Sequence, residues 1–556
     1  MDVGQLLTRS ARRYASRTAV DGPQGRQTYA ELGDRVTRLA RGLLSLGLNP
    51  GDRVLDLQSN QNTYLETDLA TAMAGLTRVA LNYRLHPDDW ARIADDSGAS
   101  AIIYDARYAE PSEALRHGLG EARSVVIGDG PGTRYEALID GSSATPLDLD
   151  IGPDTVVSLN YTSGTTGRPK GVRRTHRNRF ASLVAMTFDV LGGTPSATDV
   201  YLHAGPITHT SGLFVLPFLA AGATQLIHPR YDPEALVDAV RRQGVTHTAV
   251  VPTMIARLLA MPDLEPLNTL KMLGYAGAPM PPEQIRQAYQ RITENLVQYY
   301  GLVEAMPPVT VLDAADHAAG LAGDPDLLTS AGRPCFGVEV RIIDDAGRTL
   351  PAGEVGEVIT RGDHVMPGYR NANGGALKAV RDGWLHTGDL GRLAAPAHGG
   401  AAPPGAAPGA EATGSEPARA EARSERRSRA IGGAAPSHAA SGGDERLWLV
   451  DRKGDMIITG GYNVYPREVE DVIASVPGVA QVAVVGVADP EWGQRIVALY
   501  TGTASDSAIA DHCRSALASY KKPKQVLQVE DFPVNATGKI AKNVLRAQLE
   551  SEPRDG

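Results

Sequence analysis

Apolar positions change their spacing along this chain, and the changes mark its elements. Short apolar runs at Val156–Tyr161, Val200–Ala204, Thr224–Ile227, Thr248–Val251 and Lys271–Tyr275 alternate with stretches of helical spacing at Phe180–Val190, Ser211–Ala221, Pro233–Gln243, Pro252–Met261 and Pro282–Ile292. Buried strands produce the first pattern and amphipathic helices the second, so their alternation predicts βαβ units around mostly parallel sheets. The earlier part reads the same way, with a helix over Tyr29–Leu46, a strand over Arg53–Leu57 and a helix near Tyr64–Met73. The final part differs. Alternating strand patterns at Val479–Val487 and Arg495–Tyr500 precede helices at Ala508–Ala518 and Ala541–Glu550, which predicts a small α+β unit. The expected fold class is α/β: a large N-terminal domain of layered, mostly parallel sheets with helices over residues 1–450, and a small α+β C-terminal domain over 451–556.

One stretch breaks both periods. From Ala394 to Gly443 the chain is almost wholly Ala, Gly, Pro, Ser, Arg and Glu, with Ile431 its one bulky aliphatic residue. Such a segment buries too little apolar surface to offset its ordering entropy, so a disordered insertion is expected; a partner-binding tail is the alternative. Strong patterns resume on both sides, at Gly383–Arg392 and Leu447–Glu470, so the insertion interrupts one ordered unit.

Composition narrows the function classes. Of 556 residues, 42% are hydrophobic and 21% charged, enough to bury a sizeable core. The net charge of −9 argues against general nucleic-acid binding, which needs clustered excess cations. Cys335 and Cys513 offer neither a disulfide framework nor a CxxC zinc site. No apolar run is long enough to span a bilayer, and the first residues lack a basic segment followed by an apolar one, so a cytoplasmic setting is expected.

Candidate chemistry begins at Tyr161-Thr162-Ser163-Gly164-Thr165-Thr166-Gly167-Arg168-Pro169-Lys170-Gly171, directly after a predicted strand. Its glycines let the backbone approach an anion, and its hydroxyls and Lys170 supply donors. This is the chemistry of a triphosphate cradle, although no Gly-Lys-Ser/Thr closes it as in a Walker loop.

That loop resembles the phosphate-binding loop of the adenylate-forming superfamily, specifically its AMP-forming acyl-CoA synthetases, and six further motifs agree in order. Gly274-Tyr275-Ala276-Gly277-Ala278-Pro279 resembles the adenine-pocket strand, and Tyr299-Tyr300-Gly301-Leu302-Val303-Glu304 the aromatic-Gly-x-Thr-Glu motif. Gly383-Trp384-Leu385-His386-Thr387-Gly388-Asp389 resembles the ribose motif, and Asp451-Arg452-Lys453-Gly454-Asp455 the interdomain hinge. Gly460-Gly461-Tyr462-Asn463-Val464-Tyr465-Pro466 resembles the loop bordering the thiol tunnel, and Asn535-Ala536-Thr537-Gly538-Lys539-Ile540 the catalytic-lysine loop.

The resemblance implies a ligase that activates a fatty, aryl or other bulky carboxylic acid with ATP and Mg²⁺. The acyl-adenylate then passes its acyl group to coenzyme A, and AMP and pyrophosphate are released. It implies nucleotide contacts from Thr162, Ser163, Gly164, Thr165, Thr166, Gly167, Lys170, Gly277, Ala278, Pro279, Tyr299, Tyr300, Gly301, Asp389 and Arg452. Lys539 would serve as the cation between two mutually repelling anions. Glu304 would hold Mg²⁺, and Asp389 would accept from the ribose hydroxyls. His209 would line the acyl pocket and gate the thiol tunnel, bordered by Gly460, Gly461 and Tyr462. The C-terminal domain would be mobile, turning about Asp451 between half-reactions. Plainer readings stand beside these: a helix-terminal charge for Glu304, a turn aspartate for Asp389, an interdomain ion pair for Arg452, core packing for Tyr300, a structural histidine for His209 and a solvated surface lysine for Lys539. A carrier protein in place of CoA, and a homodimer, remain open alternatives.

Val303 departs from the family pattern, which has a threonine whose hydroxyl donates to the α-phosphate. Valine has the shape without the donor, and this motivates a further alternative, a ligase that performs only thioester formation from a supplied acyl-adenylate. A nucleotide-binding protein without turnover is the reading from a different class. Restoring the hydroxyl tests the departure. Val303→Thr is expected to raise ATP–pyrophosphate exchange by about tenfold, the factor for about 1.4 kcal/mol, and to leave CoA consumption from synthetic adenylate unchanged. Equal exchange in parent and variant would make Val303 a neutral replacement.

Overall fold

Local signals in the sequence start and stop the helices. The helix Tyr29–Ser45 opens on a capping box in which Thr28 and Glu31 satisfy each other's backbone N–H groups. Asp232 caps Pro233–Arg242, whose proline occupies the first turn. The computed structural model describes residues 2–162, 170–370, 379–395, 445–452, 455–459, 462–489, 492–535 and 539–551.

Among the described residues, four sheets carry the fold. The largest runs, in spatial order, Arg333–Pro334, Ala305–Leu312, Leu296–Leu302, Met272–Ala276, His247–Val250, Val200–His203, Thr224–Ile227, Thr18–Gly22 and Gly25–Thr28. Its interior pairs are parallel and its two margins antiparallel. A second sheet orders Thr133–Arg134, Ser124–Ile127, Ala101–Asp105, Arg53–Leu57, Thr77–Ala80, Val156–Thr162 and Lys170–Thr175, and only the last pair is antiparallel. Helices cover these sheets, and fully buried side chains such as Leu39, Leu219, Leu273 and Ile285 fill the layers between. Parallel sheets need covering on both faces, which is why their strands appear as unbroken apolar runs.

The other two sheets are mainly antiparallel. One joins Glu339–Ile343, Gly356–Arg361, Val380–Arg381, Trp384–Ala394 and Arg446–Arg452. The other joins Ile457–Thr459, Tyr462–Val464, Val479–Asp489, Gly493–Gly502 and Gln525–Gln528, with the helices Pro466–Ala474 and Asp506–Ala516 packed on it. The step from one sheet to the next falls just after Arg452.

Two helices differ from the sequence expectation. The first begins at His176, because Thr175 and Asn178 form a capping box, and it passes into a π-turn at Met186–Val190. The second is a 3₁₀ turn over Thr210–Phe214 that becomes α-helical only at Val215. Around the insertion the sequence predicts one ordered unit without naming its strands, and the antiparallel sheet over 339–452 supplies them.

A buried charge network stiffens the second sheet. Arg78 donates to Asp56 at 2.6 Å and to Asp68 at 3.1 Å, and Arg179 donates to the other oxygen of Asp68 at 2.7 Å. All four are nearly excluded from solvent. Removing one partner would strand a buried charge, so the set is coupled.

Residues 396–444, which include most of the expected disordered insertion, lie outside the described residues. Their two ends are hydrogen-bonded neighbours, because Ala394 faces Arg446 across an antiparallel pair. The insertion therefore leaves and re-enters one hairpin. Replacing 396–444 by Asn-Gly is expected to preserve the melting temperature or raise it slightly, since closing a shorter loop costs less entropy. A thermal melt of the purified variant checks this, and a lowered midpoint would show that the insertion contributes structure.

Candidate active site

Ligand sites in such sheets usually lie outside the C-terminal ends of the parallel strands. After strand Met272–Ala276, Gly277 follows at φ 92°, a conformation suited to glycine. Ala278 and Pro279 continue the loop towards the helix Pro282–Arg291. A Cβ placed on Gly277 would sit 3.4 Å from Cε of Lys539, so the lysine's stem lies against this turn. Lys539 is distant in sequence and arrives on a small loop in which Asn535 N–H donates to Lys539 O and Lys539 N–H donates to Asn535 Oδ1.

Glu304 and Val303 form the two-residue turn between strands Leu296–Leu302 and Ala305–Leu312, where Leu302 pairs with Ala305. Glu304 is therefore held at a hairpin tip and not at a helix terminus. Its Oε1 accepts from the Tyr369 hydroxyl at 2.9 Å, and its backbone oxygen accepts from Met366 N–H. Burial and the adjacent carboxylate push the Tyr369 phenol above its ordinary range. Lys170 Nζ lies 5.7 Å from the centre of the same ring. Arg174, two residues past the pairing of Val172 with Tyr369, donates to the Val303 carbonyl at 3.2 Å. Burial first and the Arg179 cation second lower its guanidinium to about 10, against the opposing pull of Glu304.

Tyr299 and Tyr300 point to opposite faces of their strand, as period two requires. Tyr300 donates its hydroxyl to Asp389 Oδ2 at 2.5 Å. Tyr299 is 2% exposed, and its ring packs edge-on against Phe214 at 6.1 Å. Of the two tyrosines expected at the nucleotide, Tyr300 bonds Asp389, whereas Tyr299 belongs to the core. Gly301 sits at a register shift where a Cβ would be 2.8 Å from Pro307, so its missing side chain serves close backbone packing.

Asp389 and Arg452, far apart in sequence, are direct cross-strand partners, as are Leu390 and Asp451. Asp451 Oδ2 accepts from Arg467 N–H, capping the helix Pro466–Ala474. Arg467 also donates to the carbonyls of Leu449 and Thr329, bracing that helix against the preceding sheet. Tyr462 is 57% exposed and stacks on Tyr520 at 4.6 Å.

His209 lies just before the 3₁₀ turn, with its Nε2 3.1 Å from Asn82 Nδ2. Burial, then Arg84, Lys539 and Arg174, hold its pKa down at about 4, so the ring is neutral. These three cations, drawn from three distant parts of the chain, all act on His209. Ser163, Gly164, Thr165, Thr166, Gly167, Gly460 and Gly461 lie outside the described residues, as do the side chains of Thr162 and Arg452; the backbone pairing of Thr162 with Lys170 frames the phosphate-loop candidate.

Sequence reasoning missed Tyr369 and Arg174. Arg174 had a signal, because it sits on the strand leaving the glycine-rich loop. Tyr369 had only Pro367-Gly368-Tyr369-Arg370 to mark it.

The family model described as AMP-binding enzyme matches residues 7–370, and the AMP-binding enzyme C-terminal domain matches 468–539. The chain belongs to the AMP-binding enzyme family. A feruloyl-CoA synthase of Amycolatopsis sp is 36% identical, over 98% of this chain and 99% of the relative. An indoleacetate–CoA ligase of Aromatoleum aromaticum is 30% identical, over 98% of each. The crystal structure of ATP-bound MatB from Rhodopseudomonas palustris superposes with a TM-score of 0.81 at 27% identity, covering 99% of both chains. The reading as an ATP-dependent acid–thiol ligase of the adenylate-forming superfamily stands on these full-length likenesses. Among the described residues, no helix is long and apolar enough to cross a membrane.

The bond from Tyr300 to Asp389 yields a test within this family member. Tyr300→Phe keeps the ring face and removes the hydroxyl, so the KM for ATP is expected to rise about 5- to 10-fold, as for loss of a hydrogen bond to a charged group. Steady-state kinetics at saturating acid checks it, and an unchanged KM would show that the hydroxyl bond does not shape the nucleotide pocket.

Proposed function

We propose that this protein activates a bulky carboxylic acid, with aromatic acids the first class, as an acyl-adenylate and then passes the acyl group to coenzyme A. The observation carrying the proposal is the approach of Lys539 to Gly277, which brings a cation from the C-terminal unit to the end of the nucleotide-pocket strand. The names of the two relatives, ligases of feruloyl and indoleacetyl groups, support the substrate class.

Each residue's task follows from its position. A carboxylate attacking the α-phosphate brings anion to anion, and Lys539 offsets that repulsion as charge builds. Lys170, at the base of the glycine-rich loop, neutralises phosphate charge from the other side. Asp389, oriented by Tyr300, accepts from the ribose hydroxyls, and Arg452 beside it completes that grip. Gly277, Ala278 and Pro279 give adenine a thin wall. His209 lines the acyl side.

Glu304 suits Mg²⁺, which favours one or two carboxylates together with phosphate oxygens. It is a hard oxygen donor at a hairpin tip, with one oxygen held by Tyr369. When bound, the ion would supply neutralising charge at the phosphates.

Residues 1–450 and 451–556 act as two domains, with Asp451 as the pivot. The closeness of Lys539 to Gly277 supports reading this arrangement as the adenylating one. Turning about Asp451 exchanges Lys539 for the Gly460–Tyr462 loop, which then borders the path of the thiol. Two loops on one small domain, used in turn, account for both half-reactions.

Lys539→Ala is expected to lower pyrophosphate release by about 10²–10³-fold, the effect of deleting one preorganised electrostatic group. Thioester formation from synthetic adenylate is expected to fall far less. A screen of aliphatic, aromatic and polycyclic acids by pyrophosphate release identifies the substrate class. Equal losses in both half-reactions would contradict the two arrangements.

A further inference from the structure

Asn82 occupies the segment Asn82-Tyr83-Arg84-Leu85, just past the C-terminal end of strand Thr77–Ala80, and is 7% exposed. Its backbone is pinned: the carbonyl accepts from Trp90 Nε1–H at 3.0 Å and from Leu85 N–H. Its side-chain orientation is fixed as well. Asn82 Oδ1 accepts from Arg84 N–H at 3.0 Å, so the amide nitrogen is the atom turned towards His209.

This geometry decides where the imidazole proton sits. Asn82 Nδ2 can only donate, so His209 Nε2, 3.1 Å away, must accept. A neutral ring accepting at Nε2 carries its proton on Nδ1. The charged groups facing the ring, Arg84, Lys539 and Arg174, are all cations and oppose a second proton. Nδ1 makes no hydrogen bond among the described residues. The ring thus has a committed acceptor edge and an available donor edge, surrounded by positive charge.

Building on the ligase reading above, we propose that Asn82 is a positioning residue that fixes His209 as the Nδ1–H tautomer, so that the imidazole meets the acid or its adenylate as a hydrogen-bond donor and not as a base. Asn82 and Arg84 then work as a pair. The Arg84 backbone orients the amide, and its guanidinium adds positive charge that acts on His209. For His209 to take a proton from a thiol in the second half-reaction, its bond to Asn82 must first break. The amide is therefore also a latch on the ring while adenylation proceeds.

Two measurements test this on the full-length protein. The first is the nitrogen NMR spectrum of ¹⁵N-histidine-labelled protein, with His209→Gln used to assign the signal. The parent is expected to show a neutral Nδ1–H ring from pH 6 to 8, and a neutral Nε2–H signature would overturn the proposal. The second is the pH profile of adenylation. Asn82→Asp offers an acceptor to Nε2, which reverses the tautomer and raises the ring's pKa towards neutrality. Its rate is expected to fall at least tenfold, with a raised KM for the acid, an unchanged KM for ATP and a new ionisation between pH 6 and 8. Asn82→Ala is expected to lose rate without that ionisation. An Asn82→Asp profile matching that of Asn82→Ala would reduce Asn82 to a packing role and sink the proposal. If Asn82→Asp fails to fold, the parent spectrum still decides. The spectrum does not depend on turnover, so a parent that activates no acid would defeat the ligase reading separately.

Discussion

Bringing two anions together is the constraint that organises this molecule. A carboxylate and a triphosphate repel, and under the proposed function cations drawn from separate parts of the fold answer that repulsion. Lys170 comes from the strand leaving the glycine-rich loop, Arg174 from four residues later on that strand, Arg84 from the segment after strand Thr77–Ala80 and Lys539 from the C-terminal unit. Two of them converge from the margin of the second sheet, and that sheet is locked by the buried set of Asp56, Arg78, Asp68 and Arg179. Drawing a cation out of water weakens it. Arg174 shows the cost, its guanidinium made less basic first by burial and then by the neighbouring Arg179. Backbone carbonyls such as that of Val303, and the nearby Glu304, make the concentration of charge tolerable.

Val303 is the point at which sequence and structure inform each other. The sequence showed a missing hydroxyl. The structure places the residue on a hairpin tip, with its carbonyl bound by Arg174 and its side chain packed near Val172, Ala305 and Met366. An apolar side chain therefore has a packing reason to be there, independent of the chemistry it forgoes.

Much of the architecture was legible because parallel strands covered on both faces must be continuously apolar, and the helices between them announce their starts with caps and prolines. The antiparallel sheet over 339–452 was less so, since its strands are half exposed and carry mixed residues. Motif-bearing residues such as Asp389, Arg452 and Lys539 stood out through resemblance, but their mutual positions did not: that Asp389 and Arg452 are cross-strand partners is a matter of register, which no local signal reports. Strand alternation alone separates Tyr299 from Tyr300, since adjacent residues of one strand face opposite sides of the sheet. Tyr369 and the amide of Asn82 act through hydrogen bonds to other side chains, and relationships of that kind have no signature in a single sequence.

The hairpin of Trp384–Ala394 and Arg446–Arg452 has the pair Asp389 and Arg452, proposed to hold the ribose, at one end and the insertion at the other. A ladder of cross-strand hydrogen bonds separates the two, so changes in length at the open end do not propagate to the register of Asp389 and Arg452. The fold thus has a port at which sequence can be gained, lost or exchanged over evolutionary time without shifting the register of that pair. The same port would accept a grafted module, such as a tether to a second enzyme, with both chain ends already juxtaposed to receive it.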